Sequence, residues 1–207
     1  MTVKNELVLS KSPSQSPSQP SSHPSSQSTR RLFLQSSLLL AGGLASQSIP
    51  VYAAGRIDAR LSQLGIVLPE PPAPVANYVA YKLENNFAYI AGQIPFRDGN
   101  LLYPGTVPDT VSIEQGREAA QQCAINILAA LKGACGGDLD RVRQCMRLEG
   151  FVASGDGFTQ QPAVVNGASD FMVEVFGDAG RHTRTAVGVK ALPLNACVEV
   201  SAIFIVD

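Results

Sequence analysis

The chain has 207 residues, is 45% hydrophobic and 16% charged, and carries a net charge of −1 at pH 7. That is enough apolar material for one ordinary domain plus an additional segment. The near-neutral balance argues against a nucleic-acid partner, which selects a basic surface. Two histidines, His23 and His182, and four cysteines, Cys123, Cys135, Cys145 and Cys197, nowhere fall at metal-ligand spacing, so no metal site is expected. An even cysteine count permits disulfides without requiring them. Cys123 falls in a helical pattern and Cys197 in a strand pattern, and both read as small buried apolar groups.

Residues 1–28 form a Ser/Pro-rich leader, ending in "SPSQSPSQPSSHPSSQS". Such a composition buries too little apolar surface to fold, and disorder is expected. From Thr29 the character changes to "TRRLFLQSSLLLAGGLASQSIPVYAAG". Arg30 and Arg31 precede an apolar run from Leu38 to Ile49 that is too short and too rich in small residues for a membrane span. Val51 and Ala53 suit a signal-peptidase cut after Ala53. The order of charged, apolar and small residues over 29–54 is that of a secretory signal, and the arginine pair with Phe33-Leu34 resembles a twin-arginine export motif. A plain secretory signal and an uncleaved anchor are the simpler alternatives. A Ser-rich leader whose one acidic residue before Arg30 is Glu6 also suits an organellar transit peptide followed by a lumenal signal. The expected location is therefore periplasmic or otherwise extracytoplasmic, with a thylakoid lumen as the alternative, and no membrane association after cleavage.

The remaining stretch, 55–207, is the size of one domain. It holds 12 Lys/Arg against 16 Asp/Glu, a net charge of −4. The Pro-rich "LPEPPAPVANYV" is extended chain ahead of the first strand. "YVAYKLENNFAYIAGQIPF" predicts a hairpin about Asn85-Asn86, and Asp98-Gly99 a second turn. Ser112 followed by Gln115 is a capping-box pattern. Ala120, Cys123, Ala124, Ile127, Leu128 and Leu131 then recur at helical spacing until Gly133, Gly136 and Gly137. "DRVRQCMRLEGFVAS" predicts a helical or turn segment followed by a strand over 148–154. "QQPAVVNGASDFMVEVFG" predicts a second helix with Pro162 near its start and Gly177 at its end. Strands over 185–189 and 197–206 follow, joined through "LPLN". The order predicts an α+β layer, one sheet with two helices on one face. The other sheet face is apolar and has no third layer to cover it, which predicts self-association.

"RTAVGVKALPLNACVEVSAIFIV", from Arg184 to Val206, poses the chemical question. Glu199 stands in the middle of a strand that otherwise reads as core, with Arg184 just upstream. A charge in such a strand needs a partner, a wet cleft or a function. One solution is a structural ion pair between the two. The other is a ligand cleft.

"IAGQIP" (90–95), the spacing of Asn166 and Phe171 in the second helix, and "RTAVGVKALPLNACVEVSAI" together resemble the RidA family, also called YjgF/YER057c/UK114, in a divergent branch. The resemblance spans nearly all of 55–207. It implies a chorismate-mutase-like fold, a homotrimer whose sheets pack at its centre, and small carboxylate ligands in three clefts between subunits. It implies hydrolysis of reactive 2-imino acids, in equilibrium with enamines, to 2-keto acids and ammonia. Carried over, the substrate-binding arginine is Arg184, the water-positioning glutamate is Glu199 and the cleft tyrosine is Tyr78. Gly92 matches the glycine of the Gly-Gln-Ile-Pro loop, and Asn166 a helix asparagine. Two positions depart from the family pattern: Ala91 replaces the usual serine and Ala186, at the edge of the substrate site, the usual cysteine.

The chemistry is coherent by itself. A planar guanidinium holds a carboxylate through two parallel hydrogen bonds. A nearby carboxylate can deprotonate a water attacking the protonated imine. An iminium carbon is already electrophilic, so the reaction requires no cofactor. His182, two residues before Arg184, is within reach of a ligand, although a lone loop histidine is more often solvated. The competing readings are a non-catalytic trimeric module that binds small carboxylates, motivated by Ala91 and Ala186, and a ribonuclease. The acidic domain and the absence of a basic aromatic stripe count against the ribonuclease.

Overall fold

A computed structural model describes residues 55–70 and 77–207. The leader assigned to 1–28 and the signal assigned to 29–54 lie outside the described residues, as does the centre of the Pro-rich stretch, 71–76.

The first hairpin forms where the apolar runs meet at Asn85-Asn86. Strands β1 (Tyr81–Glu84) and β2 (Phe87–Gln93) pair antiparallel with Glu84 opposite Phe87, and Asn85 takes the left-handed φ of 55° that the tight turn needs. The turn at Asp98-Gly99 closes a small separate hairpin of β3 (Phe96–Arg97) and β4 (Asn100–Leu101). Helix α2 (Ile113–Ala134) starts at the expected capping box: the Ser112 hydroxyl accepts from the Gln115 N–H, and the Gln115 side chain accepts from the Ser112 N–H. Gly133 lies inside this helix rather than ending it. Gly136 and Gly137, both at positive φ, terminate it. Helix α3 (Gln161–Phe176) carries Pro162 in its first turn and stops at Gly177 (φ 63°).

The third long strand departs most from expectation. A 3₁₀ turn at Leu139–Arg141 leads into β5 (Val142–Ala153), which begins six residues before the expected 148. Register shifts between Val142 and Gln144 and between Cys145 and Arg147 interrupt its alternation, so inside-outside periodicity is regular only from Leu148. A short helix, α1 (Arg56–Gln63), was not expected. It buries only Ile57 and Leu61, and the Asp140 carboxylate, 84 residues away, caps it by accepting from the N–H groups of Arg56 and Ile57 at 2.7 and 2.9 Å.

With β6 (Thr183–Val189) and β7 (Val198–Val206), the five-stranded sheet has the order β1-β2-β7-β5-β6. Only β5 and β6 run parallel, and α3 makes the crossover between them. Helices α2 and α3 pack on one face. Val198, Val200, Ala202, Phe204 and Val206 of β7 point into that layer and are buried, as are Ile127, Leu128, Leu131, Phe171 and Met172. Gly150 lets α3 approach β5: a Cβ there would lie 2.5 Å from Val165. The expected α+β arrangement holds. The opposite face presents Tyr89, Phe151, Val187, Ile203 and Ile205 along with Glu149, Ser201 and Glu199, and no layer covers it among the described residues.

Candidate functional site

Arg184 and Glu199 do not pair. Cross-strand partners share a face, and Arg184 is opposite Leu148, which in turn is opposite Ala202. Leu148 and Ala202 are buried under the helices, so Arg184 projects at the helix-covered face, on the edge strand. Glu199 is opposite Phe151, on the bare face. The two residues are two strands and three positions apart, roughly 14 Å between their Cα atoms by ordinary sheet spacing, with the sheet between their side chains. An ion pair between the two within one chain is therefore excluded, and so is a cleft that both enter from one copy of the chain.

Arg184 is held from one side only. Its Nη1 donates to Asn166 Oδ1 at 2.8 Å and to Ser169 Oγ at 3.0 Å, both on α3. Asn166 and Ser169 are three residues apart, hence on one helical face. The Nε and Nη2 edge, two parallel N–H donors, has no protein partner among the described residues, and the side chain is exposed. This is the edge that grips a carboxylate in bidentate fashion. Ser169 is also 3.0 Å from His182 Nε2, and His182 Nδ1 is 2.6 Å from the Gly180 carbonyl. Burial holds the His182 pKa below its ordinary value; the hydrogen bond to the Gly180 carbonyl works against this, and the neighbouring Arg184 charge acts with it. The imidazole is thus packed behind the arginine instead of being a solvated loop residue.

Glu199 stands over Gly92. A Cβ at Gly92 would meet the Glu199 carboxylate, its Cδ 2.9 Å away, so glycine leaves the room that this group occupies. The Glu199 carboxyl is half-buried, takes part in no ion pair or hydrogen bond among the described residues, and burial raises its pKa. A buried network fixes the loop after Gly92. Asn126 Nδ2 donates to the carbonyls of Ile94 and Phe96, both at 3.1 Å, and Asn126 accepts from Gln122 at 3.0 Å. Gln122 in turn accepts from Arg97 Nε at 2.9 Å. Glu118 takes Arg97 Nη1 at 3.2 Å and the Tyr103 hydroxyl at 2.7 Å.

Tyr78 is exposed just ahead of β1, at the sheet edge opposite Arg184, about 19 Å away by strand spacing. Ala186 follows Arg184 on the same face, opposite Gly150, and packs against the core. The fold therefore brings together Arg184 with Asn166, and Glu199 with Gly92, but joins neither pair to the other nor to Tyr78. Ser169 was not singled out in the sequence. Its signal was the Asn-x-x-Ser spacing on the helix that covers Arg184. A cleft of about 620 Å³ beside α1, lined by Asp58, Leu61 and Lys132 among others, contains none of these residues.

All four cysteines are free and buried, and burial pushes the thiols up, to about 12 for Cys145 and about 11 for Cys197. Among the described residues no group of three or more His, Cys, Asp or Glu could hold a metal ion, and no helix is long and apolar enough to cross a membrane.

A five-stranded mixed sheet with two long helices on one face, an exposed arginine on its edge strand and a glutamate on its bare face define the class: a chorismate-mutase-like α+β protein. The chain belongs to the YjgF/RidA family. Residues 58–205 match the family model described as "YjgF/chorismate_mutase-like, putative endoribonuclease". Protein TCP17 of Trypanosoma cruzi is 42% identical over 154 residues, 74% of this chain and 96% of its own length. The structure of Atu1372 from Agrobacterium tumefaciens, a protein of unknown function, is 43% identical, covers 73% of this chain and 93% of its own, and superposes with a TM-score of 0.69. A Shewanella oneidensis structure described as a putative endoribonuclease is 34% identical, covers 72% and 99%, and superposes with a TM-score of 0.70. The family is generally homotrimeric.

Proposed function

We propose that the protein is a RidA-type hydrolase of reactive 2-imino acids and their enamine tautomers, releasing 2-keto acids and ammonia. The observation that carries this reading is the half-anchored Arg184, with Nη1 fixed and the Nε/Nη2 edge open. That edge binds the substrate carboxylate and so places C2. Glu199, ionised, removes a proton from a water as its oxygen bonds to C2 and the C=N π pair moves to nitrogen. A proton then passes to the nitrogen, the C–N bond breaks, ammonia leaves, and the hydroxyl loses its proton to give the ketone. Positioning supplies most of the rate gain, because the iminium carbon is electrophilic before it binds.

Because Arg184 and Glu199 occupy opposite faces, the site is completed between copies: the Arg184 edge of one subunit meets the bare face of the next, carrying Glu199 and Gly92, in a homotrimer. Tyr78 of one copy becomes available to the cleft in the same way. The leader directs the protein out of the compartment that makes it, to a periplasm or comparable extracytoplasmic space, with a thylakoid lumen as the alternative. Two other readings compete. Ala91 and Ala186, in place of a serine and a cysteine, favour a carboxylate-binding module without turnover. The ribonuclease named for some relatives is disfavoured by the net charge of −4 over 55–207.

The test is ammonia release from freshly generated 2-iminopropanoate by the protein and its Arg184→Ala variant. The protein accelerates release above buffer, and the variant loses about 10- to 100-fold of that acceleration, the worth of charge-assisted hydrogen bonds to the carboxylate. Saturable pyruvate binding with no acceleration would replace the hydrolase by the binding module. RNA cleavage that persisted in the Arg184→Ala preparation would mark a contaminant.

A further inference from the structure

We propose that Ser169 and His182 form a hydrogen-bond relay that sets the direction of the Arg184 guanidinium, making both positioning residues for carboxylate binding. The proposal rests on Arg184 being the carboxylate anchor.

The direction of every bond in the relay is determined. The Gly180 carbonyl can only accept, so its 2.6 Å contact places a proton on His182 Nδ1. In the neutral ring Nε2 is then an acceptor, and Ser169 Oγ, 3.0 Å away, donates its one hydroxyl proton to it. With that proton committed, the Ser169 oxygen offers only lone pairs to Arg184 Nη1 at 3.0 Å. Asn166 Oδ1 takes the second Nη1 hydrogen at 2.8 Å. The chain runs one way, from Arg184 to Ser169 to His182 to the Gly180 carbonyl. An imidazolium would reverse the middle bond, because both its nitrogens donate. Ser169 would then receive two donors with nothing to donate to. Burial and the Arg184 charge oppose that state and outweigh the hydrogen bond to the Gly180 carbonyl, which favours it.

The consequence is functional. Arginine has many rotamers, and an unheld one must be ordered by its ligand. Here Nη1 is immobilised before a ligand arrives, on the side away from the open edge. Asn166 alone would leave the guanidinium free to swing about a single bond. Ser169, itself fixed by His182, removes that freedom.

The experiment uses the full chain, with ¹⁵N NMR of His182 and of the Arg184 guanidinium, and calorimetric titration with pyruvate. In the parent His182 is the Nδ1–H tautomer, and the Arg184 Nη signals are resolved, as for a group that cannot rotate. Ser169→Ala and His182→Ala merge those signals and weaken pyruvate binding about 5- to 10-fold. His182→Gln, whose amide oxygen reaches the Nε2 position, restores both readouts. If Ser169→Ala does not fold, the His182→Ala and His182→Gln pair makes the same comparison. An Nε2–H tautomer in the parent, or unchanged Arg184 signals and affinity in the Ala variants, overturns the relay. Resolved Arg184 signals in a parent that binds no pyruvate would instead overturn the carboxylate-anchor reading, and the NMR comparison alone would then decide the relay.

Discussion

Glu199 is a carboxylate whose environment offers nothing to its charge. No cation or hydrogen-bond donor reaches it among the described residues, and burial raises its pKa. The sign of its effect on folding follows. A carboxylate with a folded pKa above its unfolded value stabilises the fold when protonated and destabilises it as pH rises through both values. With no cation supplied by a neighbouring subunit, Glu199→Gln therefore melts at a higher temperature than the parent at pH 7, and the gap closes below about pH 4, where the unfolded carboxylate is protonated too. The same variant loses about 10²- to 10⁴-fold in imine hydrolysis, the usual worth of a general base. Thermal melts across pH, set beside the rates, check both. A Glu199→Gln variant that is less stable at pH 7 would show that the glutamate has a structural partner. Arg184 shows the complementary economy: three of its five donors face outward, and two are used to hold it.

At the scale of elements, the position of Arg184 depends on how closely α3 lies on the sheet. Gly150 sets that distance. A methyl group there would meet Val165 at 2.5 Å and push the helix outward, taking Asn166 and Ser169 with it. Gly150→Ala should cost about 1–3 kcal/mol, the usual penalty of overpacking, and lower Tm by several degrees. It should also weaken pyruvate binding although residue 150 touches no ligand. Calorimetry and the pyruvate titration measure the two effects on one sample, and full-affinity binding in a destabilised variant would refute the coupling. The elements themselves were largely legible. Both long helices, the hairpin at Asn85-Asn86 and the last strand followed from capping, periodicity and turn residues. The first half of β5 was not, because two register shifts erase the alternation that identifies a strand. Helix α1 was not, because its cap comes from Asp140, distant in sequence.

For the whole molecule, opposite faces for Arg184 and Glu199 make a quantitative prediction about assembly. Arg184→Ala and Glu199→Gln chains each retain no more than about a tenth of the parent's activity alone. Unfolded together in equal amounts and refolded as mixed trimers, they regenerate an intact pairing at about one interface in four. Activity should return to about a quarter of the parent's, whereas a site contained within one chain would regain none. The bare face of β2, β7, β5 and β6, with Tyr89, Ile203, Ile205, Phe151 and Val187, is the surface that such an assembly would bury.

The sequence by itself determined the layer architecture, the family and the identity of the two charged residues that need an explanation. The architecture and the two charges rest on local signals: helical and strand periodicity, capping and turn chemistry, and charges in a strand that reads as core; the family rests on the resemblance of 90–95, 166–171 and 184–203 to its motifs. Only the tertiary structure decided that Arg184 and Glu199 do not meet in one chain. Strand order placed β5 between β6 and β7, and the register of each pairing fixed which face every side chain took. It also decided that Ser169 and His182 stand behind Arg184. That contact joins a helix to the start of an edge strand across a parallel crossover, and the Asn166-x-x-Ser169 spacing is the one trace of it in the sequence.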